Sequence, residues 1–109
     1  MKSEQVFNLA VRARKMRELY AGYAKEHGIT FNELEILKLV SAKKNITATE
    51  ISQSLHMEPA IVSRKIKILS NSDLMRFEHN KVDRRVINLK ITANGTRILR
   101  SILRKIDAN

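Results

Sequence analysis

Two runs of this chain are best suited to chemistry, each built around cations with short or polar neighbours. One is Ala60, Ser63, Arg64 and Lys67; the other is Lys81, Asp83, Arg84 and Arg85. A guanidinium presents a planar fork of donors and an ammonium a compact charge, so such runs suit phosphates and the acceptor edges of bases. Catalytic sets are not evident. His27, His56 and His79 lie far apart without metal-ligand spacing and read as a helix-end, a turn and a strand residue. Cys is absent, and there is no Gly-rich phosphate loop or Ser/His/Asp set. Asp73, Asp83 and Asp107 make no acid/base pair by spacing. The expectation is a non-enzyme without metal or cofactor.

Charge points to the partner. The formal net charge is +10, and residues 41–92 carry ten Lys or Arg against five Asp or Glu. A basic field of this size implies a polyanion, with duplex DNA first and RNA or an anionic membrane surface behind it. Aromatic residues make up 5% and Trp is absent, so the stacking platforms used on single strands are poorly supplied. No apolar run approaches the roughly 18 residues of a membrane span, and the Met1-Lys2-Ser3 start lacks a signal core. The chain reads as cytoplasmic and, as a basic DNA-binding candidate, nucleoid-associated. The length suits one domain with a modest core.

The elements that must position these residues have start signals. Thr47-Ala48-Thr49-Glu50 is a capping box opening a helix that buries Ile51 and Leu55. Pro59 suits the first position of a second helix and pushes Glu58 to extended backbone. At 100° per residue Val62, Ile66 and Leu69 share one side, while Ala60, Ser63, Arg64 and Lys67 share another. After the turn-prone Asn71-Ser72-Asp73 come Leu74 to Phe77, a polar stretch from His79 to Arg85, and Val86 to Ile91. Ile87 to Ile91 alternates apolar with polar, the period of a strand burying its apolar residues on one face. Two helices followed by a basic hairpin make a mainly α winged helix-turn-helix.

At this point a resemblance becomes specific. Ala60-Ile61-Val62-Ser63-Arg64, Lys67-Ile68-Leu69, Asp83-Arg84-Arg85 and Ile91-Thr92-Ala93-Asn94-Gly95 look like the recognition helix, wing and wing exit of the MarR family of bacterial regulators. Lys67-Ile68-Leu69-Ser70 and the wing also resemble its SarA-type branch. The likeness covers roughly residues 30–99. It implies that Arg85 enters a minor groove with Asp83 holding its guanidinium. Ser63, Arg64 and Lys67 would then work in the major groove, with Lys81 and Arg84 on the backbone. Thr47 and Thr49, with the helix amides behind them, could hold phosphates. Departures are Asp73 where the family has Gly, at a position that needs left-handed backbone, and Lys65 where members are often apolar. The Lys65 stem is expected to cover the core with its ammonium in solvent. The chain is also shorter than typical members, at the C-terminal helices.

The flanks read as helices. Val6, Leu9, Ala13, Met16, Tyr20 and Tyr23 form a heptad-like seam ending at Gly28. Thr30 and Glu33 box a helix to about Ser41 with Leu34, Leu37 and Val40 inward. Thr92 caps a last helix whose Ile98, Leu99, Ile102, Leu103 and Ile106 make an apolar stripe. Five such side chains left in water would forfeit roughly 8–15 kcal/mol, so they must be covered. The expected arrangement is residues 30–92 as a DNA-binding core between dimerisation helices 1–28 and 93–109, in a two-fold homodimer; intrachain packing in a monomer is the alternative. The function expected is a regulator, most simply a repressor, that binds an inverted repeat in double-stranded DNA and answers to a small anionic or aromatic effector. The competing class is a plasmid or phage partition protein coating repeated sites.

Overall fold

The computed structural model describes residues 1–108. Five helices and one hairpin follow in the order α1 (Ser3–Lys25), α2 (Phe31–Ala42), α3 (Ala48–Leu55), α4 (Pro59–Asn71), β1 (Met75–His79), β2 (Ile87–Ile91) and α5 (Ala93–Asp107). This is the mainly helical, winged architecture expected. The helix starts follow local chemistry. Thr30 Oγ1 accepts from the Glu33 amide at 3.2 Å while Glu33 Oε1 accepts from the Thr30 amide at 3.1 Å, and Thr47 with Glu50 repeats the box at the same distances. Pro59 opens α4 behind an extended Glu58, and Thr92 Oγ1 accepts from the Gly95 amide at 3.0 Å to cap α5.

Left-handed residues close the turns. Gly28 (φ 77°) ends the turn after α1, His56 (φ 53°) caps α3, and Asp73 (φ 59°) turns the chain from α4 into β1. The Asp73 carbonyl, so turned, accepts from Thr92 Oγ1 at 2.7 Å, which ties the wing's entry to its exit. Gly95 closes the same corner. A Cβ there would lie 2.1 Å from the Leu74 carbonyl oxygen and 2.8 Å from Ile91 Cγ1, so only glycine lets α5 start this close to the sheet.

The core joins α2, α3, α4, both strands and α5. Ile36, Leu37, Ile51, Val62, Leu69 and Ile102 are each fully buried in it. The strands pair antiparallel, Met75 opposite Ile91 through His79 opposite Ile87, and Leu89 also bridges to Ile46 on its other side. That third pairing, with Leu89 donating to the Ile46 carbonyl at 2.8 Å, anchors the wing's base to the loop before α3.

Three expectations need correction. The second strand starts at Ile87 rather than Val86, and with His79 in β1, as its reading as a strand residue had it, the loop at the tip runs from residue 80 to 86. The apolar alternation does not set the buried face of β2: Ile87 is exposed and Asn88 is buried. Asn88 is drawn in by hydrogen bonds, donating to the Asn45 carbonyl at 2.6 Å and accepting from Asn80 Nδ2 at 3.0 Å. The α5 stripe is not left bare in one chain. Leu99 and Ile102 are buried in the subunit's own core, with Ile98, Leu103 and Ile106 half-covered against it.

The first helix behaves differently. Val6, Leu9, Ala13 and Met16 are exposed, Tyr20 is half-buried, and Phe7 and Leu19, outside the heptad reading, are exposed as well. Only Ala24 near its end is buried. A 23-residue helix spans about 34 Å, and its projection gives the molecule extents of 49 × 30 × 20 Å. The radius of gyration is 15.4 Å, where a compact chain of this length has about 13 Å.

Candidate nucleic-acid interface

On α4 the period of the helix separates two faces as expected. Val62, Ile66 and Leu69 pack inward, and Ala60, Ser63, Arg64 and Lys67 are exposed. Arg64 and Lys67 make no ion pair among the described residues, so their charge is available to a ligand. The outer edge of this helix meets the base of the wing. Ser63 and Ile66 line one cleft of about 210 Å³ together with Ala48 at the start of α3 and Phe77, Ile87 and Leu89 of the hairpin. Reading face and wing therefore border the same depression.

The wing is built by side chains that bond their own backbone. Asn80 Oδ1 accepts from the amides of Val82 at 2.8 Å and Asp83 at 3.1 Å, and the Asn80 amide donates to the Val86 carbonyl at 2.8 Å. His79 Nδ1 lies 2.7 Å from the Arg84 carbonyl oxygen. Asp83 then grips Arg85 three times. Oδ1 accepts from the Arg85 amide at 3.1 Å and from Nε at 3.0 Å, and Oδ2 accepts from Nη2 at 3.1 Å. The fork is thus held by its carboxylate while the Arg85 side chain stays 91% exposed. The Arg85 guanidinium, and after it the Arg85 amide, hold the Asp83 carboxyl below the usual carboxylate range, and the same contact raises Arg85. Lys81 and Arg84 are exposed beside it with no ion pair among the described residues, whereas Glu78 takes up Arg76 at 3.3 Å and Lys90 at 3.7 Å. The free charge is concentrated at the tip.

Thr47 and Thr49 fare unequally. Thr49 is exposed. The Thr47 hydroxyl is committed within its capping box, lying 3.1 Å from Glu50 Oε1, and that carboxylate puts negative charge where a phosphate would sit. Lys65 also departs from expectation: its side chain is only 16% exposed and its ammonium donates to Glu33 Oε2 at 2.8 Å. Burial pushes the Glu33 carboxyl up, yet hydrogen bonds from Lys65 and Thr30 and the Lys65 charge together outweigh it and hold the group below its ordinary value.

Residues missed in the sequence are Asn80, Asn88 and Asn45, which set the wing through hydrogen bonds within the chain. Asn80 carried a local signal, an Asn at the head of a polar turn. Asn88 and Asn45 carried none, because their bond spans 43 residues.

A fold and an exposed basic surface of this kind define a winged-helix nucleic-acid-binding class. The MarR family model matches residues 29–87, more than half of the chain, and the chain belongs to the MarR family. The HTH-type transcriptional repressor MdtR of Bacillus subtilis is 28% identical over 71 residues, which cover 65% of this chain and 46% of that protein. The chain thus matches about half the length of that relative. A Staphylococcus aureus MepR mutant bound to an oligodeoxyribonucleotide superposes with a TM-score of 0.81 at 17% identity, covering 99% of this chain and 78% of that one. Staphylococcus aureus MarR in complex with salicylate and kanamycin gives 0.84 at 22% identity, covering 97% and 71%. At such identities the two structures speak for the fold. The family is one of transcription regulators, not enzymes. No helix among the described residues is long and apolar enough to cross a membrane.

Proposed function

We propose that the chain is a sequence-specific regulator of transcription, a repressor that binds an inverted repeat in duplex DNA as a homodimer. The observation that carries this is the shared cleft: Ser63 on the exposed face of α4 and Ile87 at the wing's base line one depression, while Arg64 and Lys67 are exposed on the same helix and the Asp83-held Arg85 on the same hairpin. A helix face with short residues at its start can approach base edges, and Arg64 and Lys67 can meet G O6/N7 or phosphate. A preset Arg fork loses little entropy on entering a narrow minor groove, where the negative potential is strongest. Lys81 and Arg84 serve the backbone alongside it, and Thr49 rather than Thr47 has a hydroxyl free for phosphate at the start of α3.

Dimerisation is supported by the bare first helix. Val6, Phe7, Leu9, Met16 and Leu19 are each about half exposed or more. A second copy laid along α1, beside Ala13, Tyr20 and the half-covered Ile98, Leu103 and Ile106, takes them out of water; Leu99 and Ile102 stabilise the subunit itself. Two reading helices about a two-fold axis then meet successive major grooves about 34 Å apart, so half-sites lie near 10 base pairs between centres. A small effector has a place at the α1/α2 junction, in an open groove of about 340 Å³ lined by Ala13, Arg14, Met16, Arg17, Tyr20 and Phe31. Two guanidinium groups and two rings suit an aromatic carboxylate.

Selection of bound sequences from random duplex DNA tests the reading. An inverted repeat is expected, with log affinity falling against log salt at a slope near −7 if each subunit neutralises about four phosphates. A slope near −2, or no selected sequence, refutes it.

A further inference from the structure

Of the three cations on α4, Lys65 alone is turned inward. Its ammonium lies 2.8 Å from Glu33 Oε2 and 3.4 Å from Thr30 Oγ1, and the two paired side chains are 16% and 5% exposed. Glu33 is held from both ends, since its other carboxylate oxygen caps the Thr30 amide. The helix that carries Arg64 is thus tied, one residue away, to the first turn of α2.

Stability alone does not account for such a pair. Desolvating two charges offsets most of their attraction, and apolar residues of similar volume often do as well or better. What the pair adds is direction. Packed aliphatic groups permit small rolls of a helix about its axis, whereas a hydrogen-bonded carboxylate and ammonium lose their contact steeply with angle and distance. A roll of about 20° carries a side chain reaching roughly 7 Å from the axis through some 2–3 Å, enough to misplace a donor against a base edge.

We propose that Glu33 and Lys65 are positioning residues that fix the rotational setting of α4 on DNA and hence its sequence preference. This rests on the reading that the outer face of α4 enters the groove.

The test uses the full chain, a duplex that the wild type selects from a randomised pool, and a scrambled duplex of equal length. Glu33→Gln removes a negative charge, so electrostatics alone predicts equal or tighter binding to both duplexes. Positioning predicts the opposite for one of them: the selected duplex is bound about tenfold more weakly or worse, and the scrambled one is not. The double variant Glu33→Leu with Lys65→Met separates packing from positioning, because an apolar pair restores the packing, at the cost of the Thr30 cap, but not the preference ratio. Wild-type preference in either variant overturns the proposal. A wild type that selects no sequence overturns the parent reading instead, and this one with it.

Discussion

The reading half of the molecule, α2 through β2, and its first helix obey opposite rules. In the former the helices turn most of their apolar side chains into a core of their own chain, down to Ile36, Leu37, Ile51 and Val62 with no exposed surface left, while Ile68, Phe77, Val82 and Ile87 stay exposed. In the latter residues 3–19 carry Val6, Phe7, Leu9, Met16 and Leu19 in water. The last helix belongs to both, anchored by Leu99 and Ile102 and half-bare at Ile98, Leu103 and Ile106. If α1 is covered by a second copy as proposed, the subunit's fold and its assembly draw on largely separate sets of apolar residues, and each should be open to damage without the other.

The largest expected effect is on the fold. Ile102→Ala should cost about 2–5 kcal/mol, a large share of the stability of a small domain, and appear as a sharp fall in the thermal midpoint. The pair Leu9→Glu with Met16→Glu should do the reverse. Far-UV circular dichroism stays near that of the wild type while sedimentation shows single chains, and affinity for the selected duplex falls by two orders of magnitude or more with loss of the second half-site. Collapse of the helical signal in that variant would mean that the two sets are not separate. Arg85→Ala should weaken operator binding about ten- to hundredfold with an unchanged midpoint, placing the wing tip outside the folding problem.

Much of this division could be read from the chain, and the part that could not is physically uniform. Thr30 with Glu33, Thr47 with Glu50, Pro59 and Thr92 announced their helices because each satisfies amides within three residues of itself. The pairing of Asp83 with Arg85 was legible through the resemblance to the MarR wing, and it too is local, two residues apart. The inward turn of Asn88, the Glu33–Lys65 pair and the burial of Leu99 and Ile102 were not. Each depends on a partner tens of residues away, and an apolar stripe says that a face must be covered but not by what.

Smaller effects sharpen the same picture. Asp73 holds a left-handed backbone at φ 59°, so Asp73→Gly should relieve that cost and raise stability by roughly 0.5–1 kcal/mol, read in chemical denaturation. The smallest concerns pH. Because the folded-state Asp83 carboxyl sits below its ordinary value, the Asp83–Arg85 grip is fully present above the usual carboxylate range and is lost only as pH falls through the lowered value. The Arg85 Nε proton resonance should therefore keep its hydrogen-bonded shift while ordinary Asp side chains titrate. Loss of that shift in step with them would show the grip to be weaker than its geometry.

In the proposed complex, two copies of one reading surface meet one duplex. Sedimentation of the wild-type chain with its selected DNA, followed by nuclease protection on the same complex, measures this most directly. Two chains per duplex and two protected half-sites about 10 base pairs apart between centres are predicted. One chain on a single unrepeated site would contradict it.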